Sequence, residues 1–234
     1  MAGQALDYID VYARSAGLVV KPRTVFVEGT SDVQYFKIAA DLEAASGGPS
    51  LLDESFCITA AGERDQGGVD GVVQQVVTFR NLGRTLLDRD GRAVYRFLGL
   101  FDNDFAGRRA LKLTTTLNLG IQEFKDVFCL YPLMNPAVGD PAAVGRAIRN
   151  ANVGFSTVDW EIEDMLDPKF LDVFEQSNPS AVKSKVESPG KHIHREYTVE
   201  GKAALLRFTR ENAIRSDVDR IVAALIGLRS YIRV

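Results

Sequence analysis

The sequence predicts an α/β fold: a mostly parallel sheet flanked by helices, followed by a mainly helical C-terminal extension. Three observations lead there. Four short β-branched and aromatic runs alternate with stretches of helical periodicity, as βαβ units do. Those runs are apolar along their length, the mark of strands covered on both faces. Turn signals such as Lys21-Pro22, Ser46-Gly47-Gly48-Pro49 and Asp90-Gly91 separate the elements.

Residues 4–16 carry Ala5, Leu6, Ile9, Val11, Tyr12 and Ala16 in a loose helical pattern. Thr24-Val25-Phe26-Val27 is a buried strand candidate ending at Glu28-Gly29. Ser31 has the form of a helix N-cap answered by Gln34, and a helix follows to about Glu43 with Val33, Phe36 and Ala40 on one face. Phe56–Ala60 predicts a second strand, followed by a loop from Gly62 to Gly68 and a helix near 70–88. Tyr95–Phe101 is the most apolar strand candidate and runs straight into Asp102-Asn103-Asp104. Gly107–Ala110 opens a short helix or loop, and Val127–Tyr131 is a fourth strand closed by Pro132. A Pro/Gly-rich stretch (135–145) precedes an ordered element at Trp160–Leu166. From 171 onward the pattern is mainly helical, broken by a polar stretch at 177–191. Three segments result: 1–21, an α/β unit at 22–170, and a basic region at 171–234.

Composition excludes several classes. With 46% hydrophobic and 25% charged residues, the 234-residue chain is neither disordered nor collagenous. Cys57 and Cys129 each sit in an apolar run, which predicts buried thiols in a reducing cytoplasm. No apolar run approaches the roughly 20 residues that span a bilayer. The N-terminus has acids where a secretory signal would be basic and then apolar. Net charge is −3, but residues 181–234 hold 11 basic and 6 acidic side chains, leaving −8 on the rest. An acidic body with a basic tail suits a protein that binds cations at one place and a polyanion at another.

In open α/β sheets, ligands collect beyond the carboxyl ends of the strands. Two strand exits carry carboxylates here: Glu28 with Asp32, and Asp102 with Asp104. Alternation puts Asp102 and Asp104 on one side and Asn103 on the other. Carboxylates so close repel unless a cation sits among them, and oxygen-only ligands point to Mg²⁺ or Mn²⁺. The structural alternatives are a helix-dipole acid for Asp32 and a polar, helix-capping turn for Asp102–Asp104.

Val27-Glu28-Gly29-Thr30-Ser31-Asp32, followed some 70 residues later by Leu100-Phe101-Asp102-Asn103-Asp104, resembles the Toprim domain of topoisomerases, bacterial primases and OLD (overcoming lysogenization defect) nucleases. The resemblance covers roughly residues 22–170 and implies a Rossmann-like sheet. It is strongest to the OLD nucleases. Their further metal-binding glutamate is matched by the Glu161-Ile162-Glu163-Asp164 segment, with Glu163 preferred over Glu161, and their late lysine motif by Gly201-Lys202-Ala203. A helix-surface lysine is the plain alternative for Lys202. The chain has no G-x-x-x-x-G-K-[ST] loop, so any ATPase must be a separate subunit. Two isolated cysteines do not make a primase zinc module. A dehalogenase-like phosphatase is disfavoured because its nucleophile loop follows the first strand of its fold.

The resemblance therefore implies a Mg²⁺- or Mn²⁺-dependent endonuclease using two cations, with DNA favoured over RNA, and a role as effector of an anti-phage defence system. Glu28, Asp32, Asp102, Asp104 and Glu163 are the implied metal ligands, and Lys202 joins Glu28, Asp102 and Asp104 as catalytic. Nucleic-acid contacts fall to Arg108, Arg109, Lys183, Lys185, Lys191 and Arg195, with Tyr197 a candidate stacking surface. The spacing of His192 and His194 would suit a strand, but their polar, lysine-containing stretch places them in a surface loop. A homo-oligomer is compatible with this reading, and a membrane partner is not. The competing class is a Toprim-like module that binds nucleic acid or a partner without catalysis.

Overall fold

The computed structural model describes residues 7–62, 67–136, 139–156, 158–188 and 192–232. A short helix α1 (Tyr8–Ser15) leads into strand β1 (Arg23–Val27), helix α2 (Thr30–Ala45), strand β2 (Phe56–Ala60) and helix α3 (Gly68–Gly83). Strand β3 (Arg96–Phe101), helix α4 (Phe105–Leu117), strand β4 (Val127–Cys129) and helix α5 (Pro141–Ala151) follow. The chain continues through α6 (Pro168–Ser177), β5 (Val182–Glu187), β6 (Ile193–Tyr197), α7 (Val199–Asn212) and α8 (Asp219–Ile232).

The first four strands form one parallel sheet in the order β2-β1-β3-β4. Alternate residues feed two cores. Val25, Val27, Leu98, Leu100 and Phe128 face α2 and α8, while Phe26, Phe97, Phe101, Val127 and Cys129 face α1, α3 and α4. Gly99 is required by the second packing: a Cβ there would come within 2.7 Å of a Val76 methyl on α3. The chain leaves β1 for β2 on one side, then crosses to β3 on the other. Residues leaving β1 and β3 therefore flank a switch-point crevice.

Several expectations are corrected. Helix α2 starts at Thr30, capped at Gly29 rather than Ser31, because the Asp32 carboxylate reaches back to accept the Gly29 amide at 2.8 Å. Helix α4 is a full 13-residue helix. The Pro/Gly-rich stretch contains α5: Asp140 accepts the Ala143 amide, and Pro141 occupies the first turn, where its missing N–H costs nothing. The polar stretch inside 177–191 is not a helix break, since β5 pairs antiparallel with β6. Among the described residues, the buried apolar side chains after 170 share the core of the sheet. Leu205, Ile221, Leu225 and Leu228 join the cluster that holds Val25 and Phe36. No described helix is long and apolar enough to cross a membrane.

Candidate functional site

Glu28 leaves β1 and Asp102 leaves β3, and strand pairing sets them side by side. The Asp102 amide donates to Glu28 Oε1 at 3.0 Å. Asp32 is turned back over the start of α2 by its bond to Gly29. A third segment arrives through Asn103 and Trp160, whose backbones exchange hydrogen bonds of 2.8 and 3.2 Å. That bridge holds the 3₁₀ turn Ile162–Met165 against the β3 exit and delivers Glu163. Lys202, from the first turns of α7, sets its ammonium 2.8 Å from Glu161 and 3.6 Å from Glu163. The result is an open cavity of about 540 Å³ lined by Glu28, Asp32, Asp102, Glu163 and Lys202 together with Thr30, Ser31 and the glycines at 29, 62, 67 and 68.

Burial and repulsion dominate the electrostatics. Desolvation pushes the Glu28 carboxyl up to about 7 against the Asp102 amide bond, and Asp32, Asp104 and Glu161 add repulsion. Asp32 rises to about 6 and Glu163 to about 7, again chiefly through burial, with Lys202 opposing in both. Asp102 lies well above the ordinary carboxylate range through burial and the charges of Asp32 and Glu28. Four carboxyls whose ionisation is opposed by burial and mutual repulsion gain most from a nearby positive charge. Among the described residues, no three His, Cys, Asp or Glu side chains are drawn together closely enough to hold an ion as they stand.

Asp104 is placed differently from its neighbours. Its Oδ1 caps α4 by accepting the Gly107 amide at 2.6 Å, and it does not line the cavity. Alternation along the strand yields here to the helix cap. Gly107 is needed at this junction because a Cβ would fall 2.0 Å from the Asp102 carbonyl oxygen. Gly107→Ala is expected to lower stability by about 1–3 kcal/mol through forced backbone displacement. Thermal melts check this, and an unchanged midpoint would contradict the contact.

The residues assigned to nucleic acid do not form one surface. Arg195 is 3% exposed, its guanidinium bonded to Glu175 at 2.6 Å and Asp172 at 2.9 Å. Tyr197 is buried beside it and donates to Glu175 at 3.2 Å. Neither can reach a strand of nucleic acid, because the side chains turn inward to satisfy one another. Lys185 pairs with Glu175, and Lys183 with Glu196 at 3.3 Å, both on the exposed strand β5. Arg108 bonds the Asn103 carbonyl and pairs with Asp159 at 2.9 Å, while Arg109 is exposed on α4. Lys191 lies outside the described residues. Removing Arg195 leaves the buried Glu175 carboxylate with only the part-exposed Lys185 and the Tyr197 hydroxyl. Arg195→Met is therefore expected to cost about 1–3 kcal/mol, and exposed Lys183→Ala little or nothing. Urea titration separates the two, and equal small effects would contradict the buried network.

Sequence reasoning misses His194 as a site neighbour. It lies on β6, not in a loop, with Nδ1 2.7 Å from Asp164 Oδ2. That hydrogen bond raises its pKa against the effect of burial. Asp164 Oδ2 also accepts the Glu161 amide at 3.1 Å, so the hairpin braces the turn that presents Glu163. The i, i+2 spacing of His192 and His194 is the signal that points to a strand.

No protein-family model, curated protein or solved structure matches this chain. What the molecule itself defines is an α/β protein with a four-stranded parallel sheet and a carboxylate-lined cavity at its switch point.

Proposed function

We propose that this chain is a divalent-cation-dependent nuclease of the Toprim kind, hydrolysing phosphodiesters of DNA in preference to RNA. One observation carries the reading: Glu28, Asp32, Asp102 and Glu163, from three separated stretches of sequence, line one cavity with Lys202 at the carboxyl ends of β1 and β3. The donor set is all oxygen, which fits Mg²⁺ or Mn²⁺ and not zinc. Glu28, Asp102, Asp32 and Glu163 would hold such ions, while Asp104 acts on Glu28 through its charge. When bound, the cation supplies charge that offsets negative charge developing on the phosphodiester. The chain's own contributions are distinct. Lys202 offers a positive group to a phosphate oxygen, and it neutralises Glu161 and Glu163 at rest. The Asp102 amide fixes the Glu28 carboxylate, and the Asn103–Trp160 bridge fixes the position of Glu163. The openness of the cavity suits a polymer that need not be enclosed. Defence against phage with a separate ATPase subunit is the setting that the Toprim resemblance suggests.

The test is incubation with plasmid, single-stranded DNA and RNA in Mg²⁺ or Mn²⁺. Cleavage is expected for the wild type, with loss on EDTA and on Glu28→Gln. Cleavage that survives Glu28→Gln would move the reaction elsewhere. A second reading, a non-catalytic binding module, draws on Lys202, whose ammonium already neutralises the later glutamates. It predicts that Mn²⁺ leaves the wild-type thermal midpoint unmoved.

A further inference from the structure

Helix α4 begins at the residue after Asp104, so its first turn stands at the rim of the β3 exit. Gly107, Ala110, Leu111 and Thr114 are its buried side. Phe105, Arg109, Lys112 and Thr116, spaced i, i+4, i+7 and i+11, form one exposed stripe along the other. Phe105 is 72% exposed, and among the described residues its ring stacks on no other. The side chains of Arg109 and Lys112 have no ion-pair or hydrogen-bond partner among the described residues, while Arg108 turns aside to Asp159 and the Asn103 carbonyl. No acid occurs from Phe105 to Gln122, in a chain whose net charge is −3. A helix with three cations, no carboxylate and an unpaired aromatic ring is complementary to a polyanion that carries flat apolar faces.

We infer that this stripe carries single-stranded nucleic acid, with an unpaired base on the Phe105 ring and phosphates on Arg109 and Lys112. Lys112 stands about 10 Å along the helix from Phe105, so a strand leaving the β3 exit meets the ring first and the cations after it. The ring selects the single strand, because the base faces of a duplex are stacked out of reach. Leu113 and Leu117 are exposed on the flank of the stripe, but a protein seated there would have to cover the unpaired cations as well. The inference rests on the nuclease reading for the position of the scissile bond, and the surface itself shares no residue with the carboxylate cavity.

Fluorescence anisotropy of the full chain in EDTA, with a labelled oligo-dT strand and a duplex of equal length, tests it. The strand is expected to bind at least about fivefold more tightly than the duplex, and more weakly as salt rises. Phe105 is exposed, so Phe105→Ala should fold. It is expected to weaken the strand at least about fivefold, the loss of one stacked base, and to leave the duplex unchanged, while Phe105→Trp keeps the strand bound. Arg109→Glu/Lys112→Glu is expected to weaken the strand by at least about tenfold. Lys37→Glu/Lys169→Glu makes the same change of charge at exposed positions on the opposite face of the sheet, and should weaken it far less. Equal affinity for strand and duplex, an unchanged Phe105→Ala, a double variant no weaker than the Lys37/Lys169 control, or no binding at all would each overturn the assignment. The last two would leave the face to a protein partner. Cleavage in Mn²⁺ is scored separately, so a chain that binds in this way and does not cut counts against the nuclease reading alone.

Discussion

Asp102→Asn is expected to abolish cation-dependent cleavage and to make the cation-free protein more stable. The two effects share a cause. The Asp102 carboxylate is half-buried beside Glu28, Asp32 and Glu163, and each of these charges pushes its pKa upward. An amide of the same shape removes the repulsion and leaves intact the backbone N–H that donates to Glu28. Relief of about 1–3 kcal/mol corresponds to roughly 3–10 °C in thermal midpoint for a chain of this size. Catalysis is expected to fall by about 10³-fold, the scale of losing a principal charge contact in a transition state. Cleavage assays and melts in EDTA read the two effects separately. A variant that cleaves normally would remove this carboxylate from the reaction. One that melts earlier would mean that Asp102 is held by attraction.

The second large effect is a dependence of stability on pH that a divalent cation reverses. Glu28 and Glu163 titrate near 7 in the folded chain against 4.5 as the ordinary value. Folded protein therefore keeps protons that unfolded chain has released, and stability falls as pH rises from about 4.5 to 7. Each tenfold difference in proton affinity between the folded and unfolded chain is worth about 1.4 kcal/mol, so the loss amounts to a few kcal/mol. Asp32, raised to about 6, adds to it in the lower part of that range. Melts in EDTA at pH 5 and pH 8 should show the lower midpoint at pH 8. Millimolar Mn²⁺ should restore most of the difference at pH 8 and little at pH 5, since a ligand of the folded state stabilises it only where the carboxylates are ionised. A midpoint indifferent to Mn²⁺ at pH 8 would remove the cation from the proposal.

Much of this site was legible because strand exits are local features. β2 is found at its predicted bounds, and β1 and β3 begin one residue away from them, because short β-branched and aromatic runs between turn residues leave little choice. Glu28 and Asp102 then follow from where the strands end. The losses were of two kinds. Helix α5 was hidden by Pro136, Gly139, Pro141 and Gly145 in and before its first turns, although Asp140-Pro141 is a helix-start signal. The hairpin was hidden because Val182–Glu187 is almost wholly exposed, so its alternation carries no apolar face. The inward turn of Arg195 and the bracing of Asp164 by His194 are tertiary facts, invisible to spacing. Asp104 illustrates the remaining limit, because a residue that can ligate a cation can equally cap a helix and sequence does not rank the two.

The placement of Lys202 on α7, and of α7 and α8 in the core of the sheet, has a practical corollary. Trimming the gene at codon 170 to obtain a minimal catalytic fragment would strip the cover from Val25 and Phe36 and delete Lys202, whose ammonium lines the carboxylate cavity. Such a fragment should come out of cells as inclusion bodies.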